Sequence, residues 1–329
     1  MKYRKLGNSE LEVSVLCMGC WGLAGDFHWG SQEEADSIAT VHAALDAGIN
    51  FFDTAEMYGQ GRSDEVLGRA LQGRRDRAII ASKVSPAHLA RTDLIASCEN
   101  SLRRLRTDYI DLFQIHWPNP EIPLEETWTA LEHLQAQGKI RAIGVSNFGP
   151  IDLADLLRIG RPVSNQLPYS LLFRAIEFGI QERCRSENIG ILCYSPLLHG
   201  LLSGKYTTTD SFPPTRARTR HFSPAWPHIR HREPGCEAET NAALTEIRRI
   251  CDGLGEPMAH VALAWLLQRD GVTSVITGMR RPSQVFDNVR AAELTLSPAT
   301  VRALEAATEA VKAKLGPNLD MWQTDSRAR

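Results

Sequence analysis

The chain has 329 residues, of which 43% are hydrophobic and 23% charged, with a formal net charge of −2. That length fits two average domains or one large α/β domain, and so small a charge supplies no field to draw nucleic acid or anionic lipid. The opening MKYRKLGNSELEVS lacks the apolar run of a signal peptide, no stretch reaches the ~20 apolar residues of a membrane span, and seven scattered cysteines make no disulfide framework; a cytoplasmic location is expected.

In chain order, KYRKLGNSELEVS alternates around Gly7–Asn8 and predicts a hairpin. Short apolar runs then alternate with helical patterns. The strand-like runs are SVLCMG (14–19), NFFD (50–53), AIIASKV (78–84), YIDLFQIHW (109–117), AIGVSNF (142–148), PVSNQ (162–166), GILCYSP (190–196) and TSVITGM (273–279). EEADSIATVHAALDAG is expected to open on a capping box of Ser31 and Glu34 and to close on Gly48. DLIASCENSLRRLR follows Thr92 as its expected N-cap, and LEETWTALEHLQAQG ends at Gly138. Further helices are expected over 149–159, 175–188, 239–252, 257–269, 282–293 and 297–314. Eight strands, each followed by a helix, predict a parallel sheet. Eight strands close a (β/α)8 TIM barrel, with an open doubly wound sheet as the competitor. No low-complexity linker interrupts the chain, so residues 1–329 are expected to form one domain.

Residues 206–240 break the pattern, with five prolines and five arginines (Arg216, Arg218, Arg220, Arg230 and Arg232). Loops this long are lids or disordered segments. Following the seventh strand, this one falls on the C-terminal face, where barrel sites are built. Its arginines either face a bound anion or form a solvated surface offset by Asp210, Glu233, Glu237 and Glu239.

Three consecutive strands end on polar groups: Asp53, Lys83 and His116, with Tyr58 on the loop after Asp53. Each has a structural explanation alone: a turn cap, a snorkelling lysine, a core histidine, a packed phenol. Together they converge at one barrel mouth. A buried lysine costs several kcal/mol unless paired, about the penalty per desolvated ion, and Asp53 is the partner. The Lys83 ammonium is expected to lower the phenol pKa of Tyr58 from about 10, making it a general acid for an oxygen that gains negative charge. His116 orients that oxygen. Such a set suits carbonyl reduction, which needs a hydride that no side chain supplies, so a nicotinamide cofactor is expected.

FDTAEMYG (52–59), Lys83 in ASKV, His116 in IHWP and KIRAIGVSNF (139–148), followed by NQLPY (165–169), YSPLLHGLLSGKY (194–206) and GMRRPSQVFDN (278–288), together resemble the aldo-keto reductase superfamily over nearly the whole chain. The HWPNPEIPLEET segment is most similar to a bacterial branch that includes general-stress-type, NADPH-dependent reductases. The resemblance implies catalytic roles for Tyr58, Lys83, Asp53 and His116. It implies that Ser146, Asn147 and Gln166 hold the nicotinamide carboxamide and that Tyr194 stacks on its ring. Ser195, Leu197, Gly200, Leu201, Gly204 and Lys205 would follow the pyrophosphate. Gly278, Arg280, Gln284 and Asn288 would meet the adenosine end, with Arg280 on a 2′-phosphate, which makes NADPH (NADP+) the expected cofactor.

There is no G-x-G-x-x-G between a strand and a helix, so a Rossmann reading lacks its main feature. Trp21, Trp29 and Trp117 are candidates to wall a substrate pocket. Cys17–Cys20 forms a C-x-x-C on a strand end, where packing is expected, and His221, His228 and His231 lack partners at metal spacing; no metal is expected. The expected partner is a small-molecule carbonyl compound, with no nucleic acid and no membrane expected, and the oligomeric state stays open. Two other functions fit parts of the sequence: a lyase or aldolase using Lys83 as a Schiff-base nucleophile, and a cofactor-loaded regulatory subunit.

Overall fold

The computed structural model describes residues 1–25 and 29–329. Strands β1 (Tyr3–Lys5) and β2 (Glu12–Ser14) pair antiparallel, Tyr3 opposite Ser14. Their connection is longer than a two-residue turn. The Leu6 amide bonds the Leu11 carbonyl at 2.8 Å, and Leu6, Leu11 and Val13 are buried together. Gly7 has φ +51°, and a Cβ there would lie 2.2 Å from the Val163 carbonyl oxygen, so this connection seats directly on the main sheet's lower edge.

Eight parallel strands follow: β3 (Leu16–Gly19), β4 (Phe51–Asp53), β5 (Ile79–Val84), β6 (Ile110–Ile115), β7 (Ile140–Ser146), β8 (Ser164–Pro168), β9 (Gly190–Tyr194) and β10 (Val272–Gly278). They form a closed barrel in which β10 pairs with β3, which decides against the open sheet. Strands buried on both faces read as near-continuous apolar runs. Phe51, Ala81, Leu112, Ala142 and Leu192 form an inner cluster with the hairpin leucines, closed from below. Alternate residues such as Phe52, Ile80 and Phe113 join the outer core under the helices.

Those helices are α1 (Glu34–Asp46), α2 (Arg62–Ala70), α3 (Arg91–Leu105), α4 (Leu124–Ala136), α5 (Pro150–Leu156), α6 (Ile180–Ser186), α7 (Glu237–Leu254), α8 (Met258–Leu267), α9 (Pro282–Ala291) and α10 (Pro298–Leu315). No helix among the described residues is long and apolar enough to cross a membrane.

Two expected caps are not used. The N-cap of α1 is Glu33 rather than Ser31. Glu34 does not reach back to the cap because its carboxylate binds Arg62 and Arg69 of α2. In α3 the N-cap is Ala90, and Thr92 lies inside the helix. The Arg91 amide donates instead to Glu126 on α4 at 2.8 Å, a partner distant in sequence. The helix expected over 175–188 is divided at Gly179, whose φ is +125°.

The 206–240 segment is packed. Arg220 pairs with Glu233 and donates to the Leu315 and Asn318 carbonyls. His221 is bonded to the Leu172 carbonyl at 2.8 Å, and Arg216 donates to the His199 carbonyl at 3.1 Å and to the Tyr206 hydroxyl at 2.6 Å. The segment is thereby tied to the chain's last fifteen residues.

Candidate active site

Barrel register explains why the polar residues meet. Asp53 is the last residue of β4 and lies opposite Ala81 of β5. Two residues on, Lys83 projects from the same face at the same end. The Lys83 side chain has no exposed surface. Its Nζ donates to Asp53 Oδ1 at 2.7 Å, to the Thr54 carbonyl at 2.9 Å and to the Tyr58 hydroxyl at 3.3 Å. All three ammonium protons are therefore placed. Burial by itself pushes Lys83 down, but the Asp53 charge and the two hydroxyl and carboxylate contacts outweigh it, and its pKa stands above the ordinary lysine value.

Tyr58 opens a 3₁₀ turn, Tyr58–Gly61, in which Gly59, Gln60 and Gly61 all have positive φ. The turn packs tightly: a Cβ on Gly59 would fall 2.6 Å from the Ala24 Cβ. This tight turn, spelled YGQG, aims the phenol back at Lys83. One expectation is corrected. Lys83 does pull the Tyr58 pKa down, but burial outweighs it, and the phenol is raised above its ordinary value. At this position the desolvation of a phenolate exceeds the attraction of an ammonium that Asp53 has largely neutralised.

His116 follows the last residue of β6, its ring edge-on to Tyr58 with centroids 5.9 Å apart. Burial, then the charges of Lys83 and Arg327, hold the imidazole well below the usual histidine range. It is neutral at pH 7, and its buried Nδ1 has no hydrogen-bond partner among the described residues.

These groups open into a cavity of about 1020 Å³ at the C-terminal ends of the strands. Trp21, Trp29 and Trp117 all line it. Trp21 stacks on Tyr58 with centroids 5.8 Å apart and meets Trp29 edge-on at 5.6 Å. Ser146, Asn147, Gln166, Tyr194, Ser195, Leu197, Gly200, Lys205, Gly278, Arg280 and Gln284 also line it. Leu201, Gly204 and Asn288 do not: Leu201 is buried in the outer core, the Gly204 carbonyl accepts from Arg248, and Asn288 is buried in α9.

The polar lining is bonded internally. Gln166 Nε2 donates to Asp53 Oδ2 at 2.7 Å. Asn147, at φ +62°, donates to the His116 carbonyl at 3.0 Å and accepts from the Tyr194 hydroxyl at 2.9 Å. After β9, Ser195, Leu198, His199 and Gly200 all adopt positive φ, a concentration of backbone strain of the kind found at functional sites. Arg280 is anchored by the carbonyls of Trp29, Gly30 and Ser31, and its amide donates to Gln284 Oε1 at 2.8 Å.

Some lining residues carry no local signal in the sequence. Trp322 stacks on Tyr194 with centroids 5.9 Å apart and rings inclined by only 6°, and the Arg327 guanidinium covers Trp117 at 3.7 Å. Both come from a tail without periodicity. From the 206–240 segment, Arg216, Arg218 and Arg230 face the cavity, while Arg220 and Arg232 pair with acids. Cys17 and Cys20 are buried, and burial pushes both thiols well up, the state of inert packing residues.

Residues 15–309 match the Aldo/keto reductase family. The chain is 36% identical over 296 residues to the aldo-keto reductase YhdN of Bacillus subtilis, covering 87% of each protein. Among solved structures it is similar to an aldo-keto reductase of Klebsiella pneumoniae determined with NADPH, at TM-score 0.74 and 29% identity over 93% of this chain and 95% of that one. It is also similar to the glycerol dehydrogenase of Gluconobacter oxydans, at TM-score 0.80 and 29% identity over 96% of both chains. With its barrel and its strand-tip residues in place, the chain belongs to the aldo/keto reductase family.

Proposed function

We propose that the protein reduces aldehydes or ketones to alcohols with NADPH, Tyr58 serving as the proton donor. The observation that carries this reading is the contact set Asp53–Lys83–Tyr58 beside a neutral His116, at the mouth of a cavity walled by tryptophans.

The cavity residues fit the cofactor. The Asn147 and Gln166 side-chain amides match the hydrogen-bonding pattern of a carboxamide. The Tyr194 ring lines the cavity with Trp322 stacked on one face, so only its other face is left for a nicotinamide ring. Lys205, Arg216 and Arg280 supply cations for phosphate groups. Bound NADPH supplies the hydride.

The chain's own part is to position and to protonate. His116, being neutral, donates a hydrogen bond to the carbonyl oxygen without adding a charge that would have to be desolvated. As that oxygen becomes an alkoxide, the Tyr58 proton moves to it, and the resulting phenolate is stabilised by Lys83. A phenol raised by burial is a weak acid at rest. It transfers its proton only when a stronger base forms beside it, so it stays loaded until the reaction begins. A Schiff-base role for Lys83 is disfavoured because the amine is held protonated, with all three protons engaged.

The test is stoichiometric: purified protein with NADPH and an aromatic aldehyde, following cofactor absorbance and alcohol together. One alcohol per NADPH consumed is expected. No alcohol from a panel of aldehydes and ketones, despite tight NADPH binding, would defeat the reading.

A further inference from the structure

The tail that sequence reasoning left unread builds one side of the cavity, and its chemistry is specific. Arg327 lies over the Trp117 ring at 3.7 Å, and Trp117 directly follows His116. The guanidinium is near enough to His116 to add to the downward push of burial and Lys83 on that imidazole. It also acts on Tyr194. Arg327 therefore stands at the reacting end of the cavity, whereas Lys205 and Arg280 belong to the loops after β9 and β10.

A guanidinium has two forked edges. In Arg327 the Nε–Nη2 edge is bound by Asp320, at 2.6 Å from Nε to Oδ2 and 3.1 Å from Nη2 to Oδ1. Asp320 is fully buried and also accepts the Trp322 amide at 3.0 Å. This fixes the plane of the guanidinium and joins it to the Trp322 wall. Nη1 makes no hydrogen bond to any described residue, and Arg327 lines the cavity. The second edge is thus oriented, charged and supplied with donors. Among the described lining residues the only carboxylate is Asp53, which Lys83 already compensates, so no acid of the cavity wall opposes an anion at Arg327; Lys205, Arg216 and Arg280 are the cations matched above to phosphate groups.

We infer that this reductase is built for carbonyl substrates that also carry a carboxylate, with the carbonyl oxygen at Tyr58 and His116 and the carboxylate on the Nη1 edge of Arg327. The inference rests on the reductase reading above and narrows it to a substrate class. The aromatic panels Trp21, Trp117 and Trp322 then cover a short, flat or apolar connection between the two groups. Asp320 is a positioning residue for Arg327.

The test compares 3- and 4-carboxybenzaldehyde with their methyl esters, as kcat/KM with NADPH. The proteins are wild type, Arg327→Gln, Arg327→Lys and the double variant Asp320→Asn/Arg327→Gln, which leaves no unpaired buried acid. Wild type is expected to prefer the acid of at least one isomer over its ester. In Arg327→Gln and in the double variant that acid-to-ester ratio should fall by about 10- to 100-fold, the change that corresponds to losing a hydrogen bond to a charged group. The loss should sit mainly in KM, and Arg327→Lys should recover part of it. An acid-to-ester ratio at or below one in wild type, or one unchanged in both neutral variants, overturns the inference. If no aldehyde is reduced at all, the reductase reading fails separately, and ligand binding decides this one. Tryptophan fluorescence titration should give benzoate an affinity that Arg327→Gln lowers at least about 10-fold while benzamide is unaffected. Equal changes for both ligands overturn it.

Discussion

Replacing Asp53 by asparagine keeps the shape of the site and removes one charge. Lys83 then remains fully buried, 2.7 Å from a neutral amide. Removing one partner of a buried ion pair costs about 3–5 kcal/mol, because the other charge stays desolvated and unmatched. Of a typical folding stability of about 5–15 kcal/mol this is a large share. The pH dependence sharpens the test. In the wild type Lys83 stands above the ordinary lysine value, so its stabilisation is complete below about pH 10 and is lost only above it. In the variant burial dominates and the folded-state pKa falls, so the unfolded chain binds more protons and stability rises with pH. The gap between Asp53→Asn and wild type should therefore narrow between pH 7 and pH 10 in urea denaturation. The double variant Asp53→Asn/Lys83→Met should recover most of the loss, with a coupling on the order of 3 kcal/mol. A single-variant loss below about 1 kcal/mol, or a gap that does not change with pH, would refute the claim that Lys83 is a buried ammonium held by Asp53.

Other outcomes follow from the same geometry. Burial holds His199 and His221 at about 4, against about 6.5 unfolded, so stability falls as pH drops through that window; Asp64, pushed up to about 6 by burial, acts in the opposite sense. The net loss from these three groups between pH 7 and pH 5 should be on the order of 2 kcal/mol by denaturant titration, and equal or greater stability at pH 5 would contradict it. Gly68→Ala would set a Cβ 2.7 Å from the backbone of Arg104 and Leu105. The forced separation of α2 from α3 should cost about 1–3 kcal/mol, and a stabilised variant would show that contact to be soft. Arg280→Ala should raise the NADPH dissociation constant about 10-fold or more toward that of NADH, measured by fluorescence quenching; NADPH and NADH weakened alike would remove Arg280 from the 2′-phosphate.

What the sequence made legible was periodic or chemically unusual. Eight apolar runs with helices between them spell the barrel, and Asp53, Lys83 and His116 are conspicuous because charge is rare at the ends of buried strands. Other features depend on partners far away in the chain. Glu34 fits a capping box in sequence, yet Arg62 and Arg69 claim its carboxylate. Trp322 and Arg327 reach the cavity from an aperiodic tail fixed by Asp320 and by Arg220 of the 206–240 segment. The direction of the Tyr58 shift required knowing how strongly the barrel mouth desolvates the phenol, which residue type and spacing do not reveal.

The most direct test of the central claim is Tyr58→Phe, assayed for aldehyde reduction alongside its affinity for NADPH. General acid catalysis is worth about 10²–10⁴-fold. The variant is expected to lose at least that much in kcat while binding NADPH within about twofold of wild type, since an affinity change that small is well under 1 kcal/mol. A Tyr58→Phe protein that retains more than about half of the wild-type turnover, outside that range altogether, would contradict the assignment of the proton donor and the account built on it.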